Sequence, residues 1–170
     1  MRGPGERCYS TDESIAQGFA DYFEEFYKSR SLEEIQGIVG YLATVPMPSL
    51  DSQKREELEA ELTLEEIQEA IVNLKPGKCP GPNGLPAELY KKNSDLLGPQ
   101  ILAMFKEANE EGILPIDLRK ATIVVIPKDG KPKQECSSYR PISLLNIEVK
   151  ILASVVATRI RKVILPLVHG

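Results

Sequence analysis

At 170 residues, with 42% hydrophobic and 27% charged content, the chain carries enough apolar material for one ordinary globular domain, which sets intrinsic disorder aside. No stretch approaches the roughly 20 uninterrupted apolar residues of a membrane helix, and residues 1–10 lack the apolar run of a secretory signal, so a soluble, intracellular chain without a membrane partner is expected. The net charge of −4 conceals an asymmetry: residues 1–72 hold 6 Lys/Arg against 16 Asp/Glu, and residues 73–170 hold 15 against 9. An acidic half suits a solvated surface or a basic neighbour, whereas a basic half can neutralise phosphates. Cys8, Cys79 and Cys136 are far apart and share the chain with a single histidine, His169, so neither a zinc site nor a disulfide framework is indicated.

In chain order, SIAQGFADYFEEFYKS places Ile15, Phe19, Tyr22, Phe23, Phe26 and Tyr27 at helical spacing, with Thr11 or Ser14 as cap and a polar break at Ser29 to Ser31. A weaker helical pattern follows in LEEIQGIVGYL. The prolines of VPMPSLD then interrupt it, and Val45 to Leu50 reads as a linker. SQKREELEAEL is a charged surface helix. Thr63 with Glu66 three residues later forms a capping-box pattern ahead of a helix whose apolar stripe is Leu64, Ile67, Ala70, Ile71 and Leu74.

KPGKCPGPNGLP has no periodicity and is either an ordered turn or a flexible loop. Helices resume at Ala87 to Lys92 and at Leu96 to Glu111, where Gly112 and Pro115 supply stop signals. ATIVVIPK is a β-branched strand ended by Pro127, the loop DGKPKQECSSY carries turn residues, and RPISLL returns as a second strand of a long hairpin. Asn146 stands at an N-cap position before IEVKILASVVATRIRKVILPLV, which sets Ile147, Ile151, Val155, Ile160, Val163, Ile164 and Leu167 along one broad face. The fold class is therefore α+β and helix-rich, with a β-hairpin and a C-terminal amphipathic helix.

Several motifs fail on inspection. The pair Gly77-Lys78 is followed by Cys79 and lacks the upstream glycine of a phosphate-cradling P-loop. The acidic pairs Glu24-Glu25, Glu33-Glu34, Glu56-Glu57 and Glu65-Glu66 lie in helical segments, where neighbours point about 100° apart and do not converge on a metal. The sole histidine sits beside the terminus, which leaves no Ser, His and Asp constellation to argue.

Three linked blocks nevertheless carry a family signature. GKCPGPNGLPAELYKK, EGILPIDLRKATIVVIPKDGK and SYRPISLLNIEVKILASVVATRI resemble, in sequence, order and spacing, the early reverse transcriptase blocks of LINE-type retrotransposons. Upstream, FADYFEEFY and the acidic helices look like the connection that joins that family's endonuclease to its polymerase. The resemblance implies an acidic helical connection over residues 1–62 and a partial reverse transcriptase domain over 63–170, the hairpin being of the fingers type. It also implies an RNA-directed DNA polymerase of cytoplasm and nucleus, with RNA template and DNA primer as partners of the complete enzyme.

That enzyme requires paired palm aspartates sharing magnesium ions, which stabilise the attacking and leaving oxygens of in-line displacement. The expectation for this chain is that the palm is absent, that it contributes no catalytic or metal-binding residue, and that magnesium serves only the complete enzyme. Phe19-Ala20-Asp21-Tyr22 has a tyrosine where a second aspartate belongs and lies on a helical pattern. The segment alone is expected to bind nucleic acid weakly and not to polymerise; the alternative is a non-enzymatic interaction module or a fragment of the element without function. Self-association through the apolar final helix is a further expectation.

By resemblance, fingers-type contacts to nucleotide and template phosphate fall on Lys128, Lys131 and Lys133 in the hairpin loop and on Arg140, whose guanidinium grips phosphate through two parallel hydrogen bonds. Lys150 and Arg159 on the final helix are candidates for tracking the template backbone. Two positions depart from the family pattern: Asn83 replaces the usual aspartate of G-P-D-G, and Glu148 stands where aspartate is common.

Overall fold

The computed structural model describes residues 1, 8–28, 32–45 and 49–168, and the side chains of 32–34 and 165–168 are outside the description. The break expected at Ser29 to Ser31, the middle of the Val45 to Leu50 linker and the side chain of Leu167 therefore lie outside it. Among the described residues, seven α-helices and two strands follow in the order α1 (Asp12–Phe26), α2 (Leu32–Leu42), α3 (Ser52–Glu59), α4 (Leu64–Val72), α5 (Ala87–Lys92), α6 (Ser94–Glu111), β1 (Ala121–Pro127), β2 (Tyr139–Leu145) and α7 (Ile147–Val168). The strands pair as one two-stranded sheet, in keeping with the helix-rich α+β expectation. Among the described residues no helix is long and apolar enough to cross a membrane.

Local chemistry sets the ends of these elements. Thr11 caps α1 through its hydroxyl and Ser14 returns the bond to the cap backbone; Thr63 and Glu66 do the same for α4, completing the box read from the sequence. Gly112 ends α6 in the left-handed conformation (φ +68°), and the Ile113 N–H donates to the Ala108 carbonyl, closing the last turn. The α6 helix begins at Ser94, two residues before the expected start, and continues through Pro99. Helix α3 stops at Glu59, short of the charged run that suggested a longer helix.

The chain divides into two compact units. One comprises Met1–Met47 and Val124–Ile142; the other comprises Pro48–Ile123 and Ser143–Gly170. In the first, α1 packs against a 3-10 turn at Cys136–Ser138, with Phe19 and Cys136 buried. In the second, α4 lies against α6, α7 and α5, and the core is Ile67, Ile71, Tyr90, Phe105, Ile147, Ile151 and Val155. Burying each of its isoleucines contributes about 1.5–3 kcal/mol.

The final helix corrects the single broad face expected of it. Its buried row is Ile147, Ile151, Val155 and Val163, each a multiple of four residues from the next, whereas Val156, Ile160 and Ile164 form a second, exposed stripe. The position missing from the buried row is 159, and it holds an arginine.

Candidate nucleic-acid interface

The hairpin connection is held by its own backbone. The Lys128 N–H donates to the Ser138 carbonyl (2.8 Å), the Lys131 N–H to the Lys128 carbonyl (3.3 Å), and the Tyr139 hydroxyl to the Lys133 carbonyl (3.1 Å). Gly130, at φ +70°, supplies the left-handed turn residue that a β-carbon would strain. Ser138 and Cys136 are buried beneath, and burial pushes the Cys136 thiol pKa up. The consequence is a loop of fixed shape that presents Lys131 and Lys133 to solvent, with Arg140 exposed at the start of β2, and among the described residues none of the three is in an ion pair. Lys128 is half-buried, its Nζ donating to the Ser137 carbonyl at 2.8 Å. Three of the six candidate cations thus lie on the connection between the strands, and a fourth, Arg140, lies at the start of β2.

The other two lie on α7. Lys150 is half-buried, with Nζ 3.5 Å from the Cys79 carbonyl oxygen. Arg159 is turned inward. Its Nε and Nη2 donate to the two carboxylate oxygens of Glu66 (2.7 and 2.6 Å), Nη2 also donates to the Glu61 carbonyl (2.8 Å), and Nη1 donates to the carbonyls of Leu58 and Ala60. With all three nitrogens engaged, its guanidinium closes the end of α3 onto the start of α4 and has no donor left for phosphate. The arginine hydrogen bonds hold the Glu66 carboxyl below the usual carboxylate range, against the opposing effect of burial.

The proline- and glycine-rich stretch is an ordered loop. Gly84 N–H donates to the Gly81 carbonyl (3.0 Å) to close a turn, Gly77 N–H donates to Glu88 (2.7 Å), and Lys91 Nζ donates to the carbonyls of Val72 and Leu74. Gly81 is buried against the start of α7, where an added β-carbon would lie 2.3 Å from the Asn146 nitrogen and 2.4 Å from its side-chain oxygen. Asn146 holds the expected position before α7, but its side chain reaches across to other segments: Oδ1 accepts from the Asn83 N–H (3.2 Å) and Nδ2 donates to the Asp117 carbonyl (3.2 Å).

The two departures from the family pattern meet in the same cluster. Asn83 Nδ2 donates to both carboxylate oxygens of Glu148 at 3.3 Å, and the Tyr90 hydroxyl donates to Glu148 Oε1 at 2.6 Å. Burial, reinforced by the hydrogen bond and charge of Glu148, raises the Tyr90 pKa, so the hydroxyl remains a donor. An aspartate at 83 cannot donate and would set a second carboxylate against Glu148, so the amide at 83 and the glutamate at 148 are matched to each other. Sequence reading missed Tyr90: its helical position gave no hint of a partner 58 residues away. Among the described residues, no group of three or more His, Cys, Asp or Glu side chains is placed to hold a metal.

No family model matches the chain. Individual proteins do. It is 32% identical over 123 residues to an uncharacterised 149 kDa protein of transposon TX1 from Xenopus laevis, a match that covers 72% of this chain and 9% of that protein. It is 27% identical to the RNA-directed DNA polymerase from mobile element jockey of Drosophila funebris, over 94% of this chain and 17% of that one. It is 26% identical to a probable RNA-directed DNA polymerase from transposon BS of Drosophila melanogaster, over 96% of this chain and 18% of that one. The chain thus spans less than a fifth of each of these relatives. These matches place its relatives among the proteins of mobile elements. More narrowly, several of its homologues are RNA-directed DNA polymerases of non-LTR retrotransposons.

Proposed function

We propose that the chain is the fingers-side segment of a non-LTR retrotransposon reverse transcriptase, in which the β1–β2 hairpin meets the phosphates of template and incoming nucleotide. The observation that carries this reading is the hairpin, with Lys131 and Lys133 on a connection of fixed shape and Arg140 at the start of β2, all three exposed and outside the ion pairs of the described residues. Lys128 adds a fourth positive charge at the base of the same loop. A planar guanidinium beside flexible ammonium groups favours phosphate oxygens over any neutral ligand. The RNA template and DNA primer are partners of the complete enzyme, and the carboxylates that hold its magnesium ions belong to parts of the enzyme beyond this segment. The segment itself contributes phosphate contacts and does not polymerise.

Binding to a labelled RNA, followed as a function of salt, tests the hairpin assignment. Removing one cation that neutralises a phosphate reduces the slope of log affinity against log salt by about 0.7 for a single strand, so Lys131→Ala/Lys133→Ala/Arg140→Ala is expected to flatten the slope by about 2. An unchanged slope would remove the hairpin from the interface. In a primer-extension assay with magnesium the purified chain is expected to incorporate no nucleotide, and robust extension would overturn the assignment of chemistry to another part of the enzyme.

A further inference from the structure

The proline- and glycine-rich loop of the second unit holds chemistry that phosphate binding does not use. Of the five asparagines in the chain, only Asn83 is followed by glycine; Asn73, Asn93, Asn109 and Asn146 precede Leu74, Ser94, Glu110 and Ile147. The peptide nitrogen after an asparagine can close a five-membered ring on the side-chain amide carbon, and a glycine there has no β-carbon to obstruct the closure. At Gly84, φ is +71° and nothing lies within 4 Å of where a β-carbon would stand. Asn83 and Gly84 are both exposed, so water reaches the amide.

The fold restrains every group that this ring closure needs. The Gly84 N–H, which carries the attacking nitrogen, donates to the Gly81 carbonyl (3.0 Å). Asn83 Oδ1 accepts from the Leu85 N–H (3.1 Å), and Nδ2 donates to both carboxylate oxygens of Glu148 (3.3 Å each). The Asn83 N–H is fixed on Asn146 Oδ1 (3.2 Å). Glu148 is itself held by Tyr90, whose hydroxyl donates to Oε1 at 2.6 Å from a residue only 2% exposed. Turning the amide toward the Gly84 nitrogen therefore breaks the bonds to Leu85 and Glu148 together, and freeing that nitrogen opens the turn. A reaction that needs such an opening is slowed by the free energy of the opening.

We propose that Asn83 is a self-modification site, a deamidation site that the Glu148 clamp holds unreactive and that converts when the loop opens. In the open loop, hydroxide removes the Gly84 amide proton and the nitrogen bonds to Asn83 Cγ. The side-chain nitrogen then leaves as ammonia, taking a proton from water and regenerating the hydroxide. A second water opens the ring at either carbonyl, giving aspartate or isoaspartate, with water as the only co-reactant. Either product sets a carboxylate against Glu148 where an amide had donated, so the loop does not close as before. Conversion makes a reversible opening of the loop a one-way change.

The test incubates the full chain at mildly alkaline pH, folded and in denaturant, and follows its tryptic peptides by mass spectrometry for conversion of amide to acid. The peptide Cys79–Lys91 contains Asn83 and no other asparagine. Asn83 is expected to convert first of the five in denaturant, and roughly tenfold or more slowly in the folded chain. Equal rates in the two states, or earlier conversion at another asparagine, overturn the proposal. Glu148→Ala is expected to raise the folded-state rate several-fold and to leave the rate in denaturant unchanged; an unchanged folded-state rate removes Glu148 as the clamp and overturns it as well. If alanine prevents folding, Glu148→Gln, which offers one acceptor oxygen in place of two, is read instead with the same expectation. Asn83→Asp is expected to melt a few degrees below the parent, and Asn83→Asp/Glu148→Gln to recover most of that loss. A single variant that melts with the parent overturns the one-way consequence.

Discussion

Alanine at position 81 lowers the stability of the chain by roughly 3–5 kcal/mol, seen as a fall in melting temperature of about 10 °C or more or as failure to accumulate folded protein. The backbone at Gly81 is not in the left-handed region, so the requirement is for room and not for glycine's freedom. A β-carbon there would come within 2.3–2.5 Å of three atoms, the Asn146 nitrogen, the Asn146 Oδ1 and the Leu145 carbonyl carbon, and two of these are backbone. The loop has to retreat. Retreat breaks the bond from the Asn83 N–H to Asn146, and Asn146 is only 3% exposed, so its oxygen finds no ready water in exchange. Overpacking costs about 1–3 kcal/mol and an unsatisfied buried polar group about as much again. Thermal melting of Gly81→Ala against the parent checks the estimate, and a shift smaller than about 2 °C would show that the loop yields freely.

Arg159→Ala is the second large effect, about 2–4 kcal/mol in chemical denaturation. The loss comprises the bidentate pair with Glu66 and the donors to three carbonyls at the α3–α4 junction. Glu66 is only partly exposed, and its carboxylate is left with the Thr63 N–H as remaining donor. The pH dependence has a definite sign. Glu66 titrates below its unfolded value in the native state, so the pair's contribution is fully present at neutral pH and is lost as pH falls below about 4.3 and through the depressed folded value. The alanine variant is therefore expected to show a smaller loss of stability between neutral and acidic pH than the parent. Arg159→Lys does not rescue, because one ammonium cannot span a carboxylate and three carbonyls. A variant within about 0.5 kcal/mol of the parent would mean that the pair is solvated and unimportant.

Arg159 also shows where sequence reading reaches its limit. The Thr63–Glu66 capping box, the strand ended by Pro127, the Gly112 stop and the apolar stripe of α4 were legible because each depends on residues close together in the chain, whereas for α1 the sequence offered Thr11 or Ser14 as cap and not the box they form. The inward turn of Arg159 depends on Glu66, 93 residues earlier, and the Tyr90–Glu148 pair spans 58. One local sign was present: position 159 continues the four-residue row of Ile147, Ile151 and Val155, and a charge in a buried row implies an internal partner. The second apolar stripe of α7 obscured it, because the two stripes together read as one broad apolar face. Within the candidate interface, the cationic loop was readable from the turn residues between two strands, whereas Phe19, which packs on Tyr139, was visible only as part of a helical apolar face. Its attachment to Tyr139 joins residues 120 apart and has no periodic signature.

The order of the two units along the chain bears on how the gene can be cut. Each unit is assembled from two stretches, one on either side of the other's sequence, so no single cut releases either unit whole. A product started at residue 63 retains every hairpin cation but strips Phe19 from Tyr139, leaving bare the ring from which the loop's fixed shape is hung. A chain shortened in this way would keep the hairpin cations and lose the aromatic surface against which Tyr139 packs.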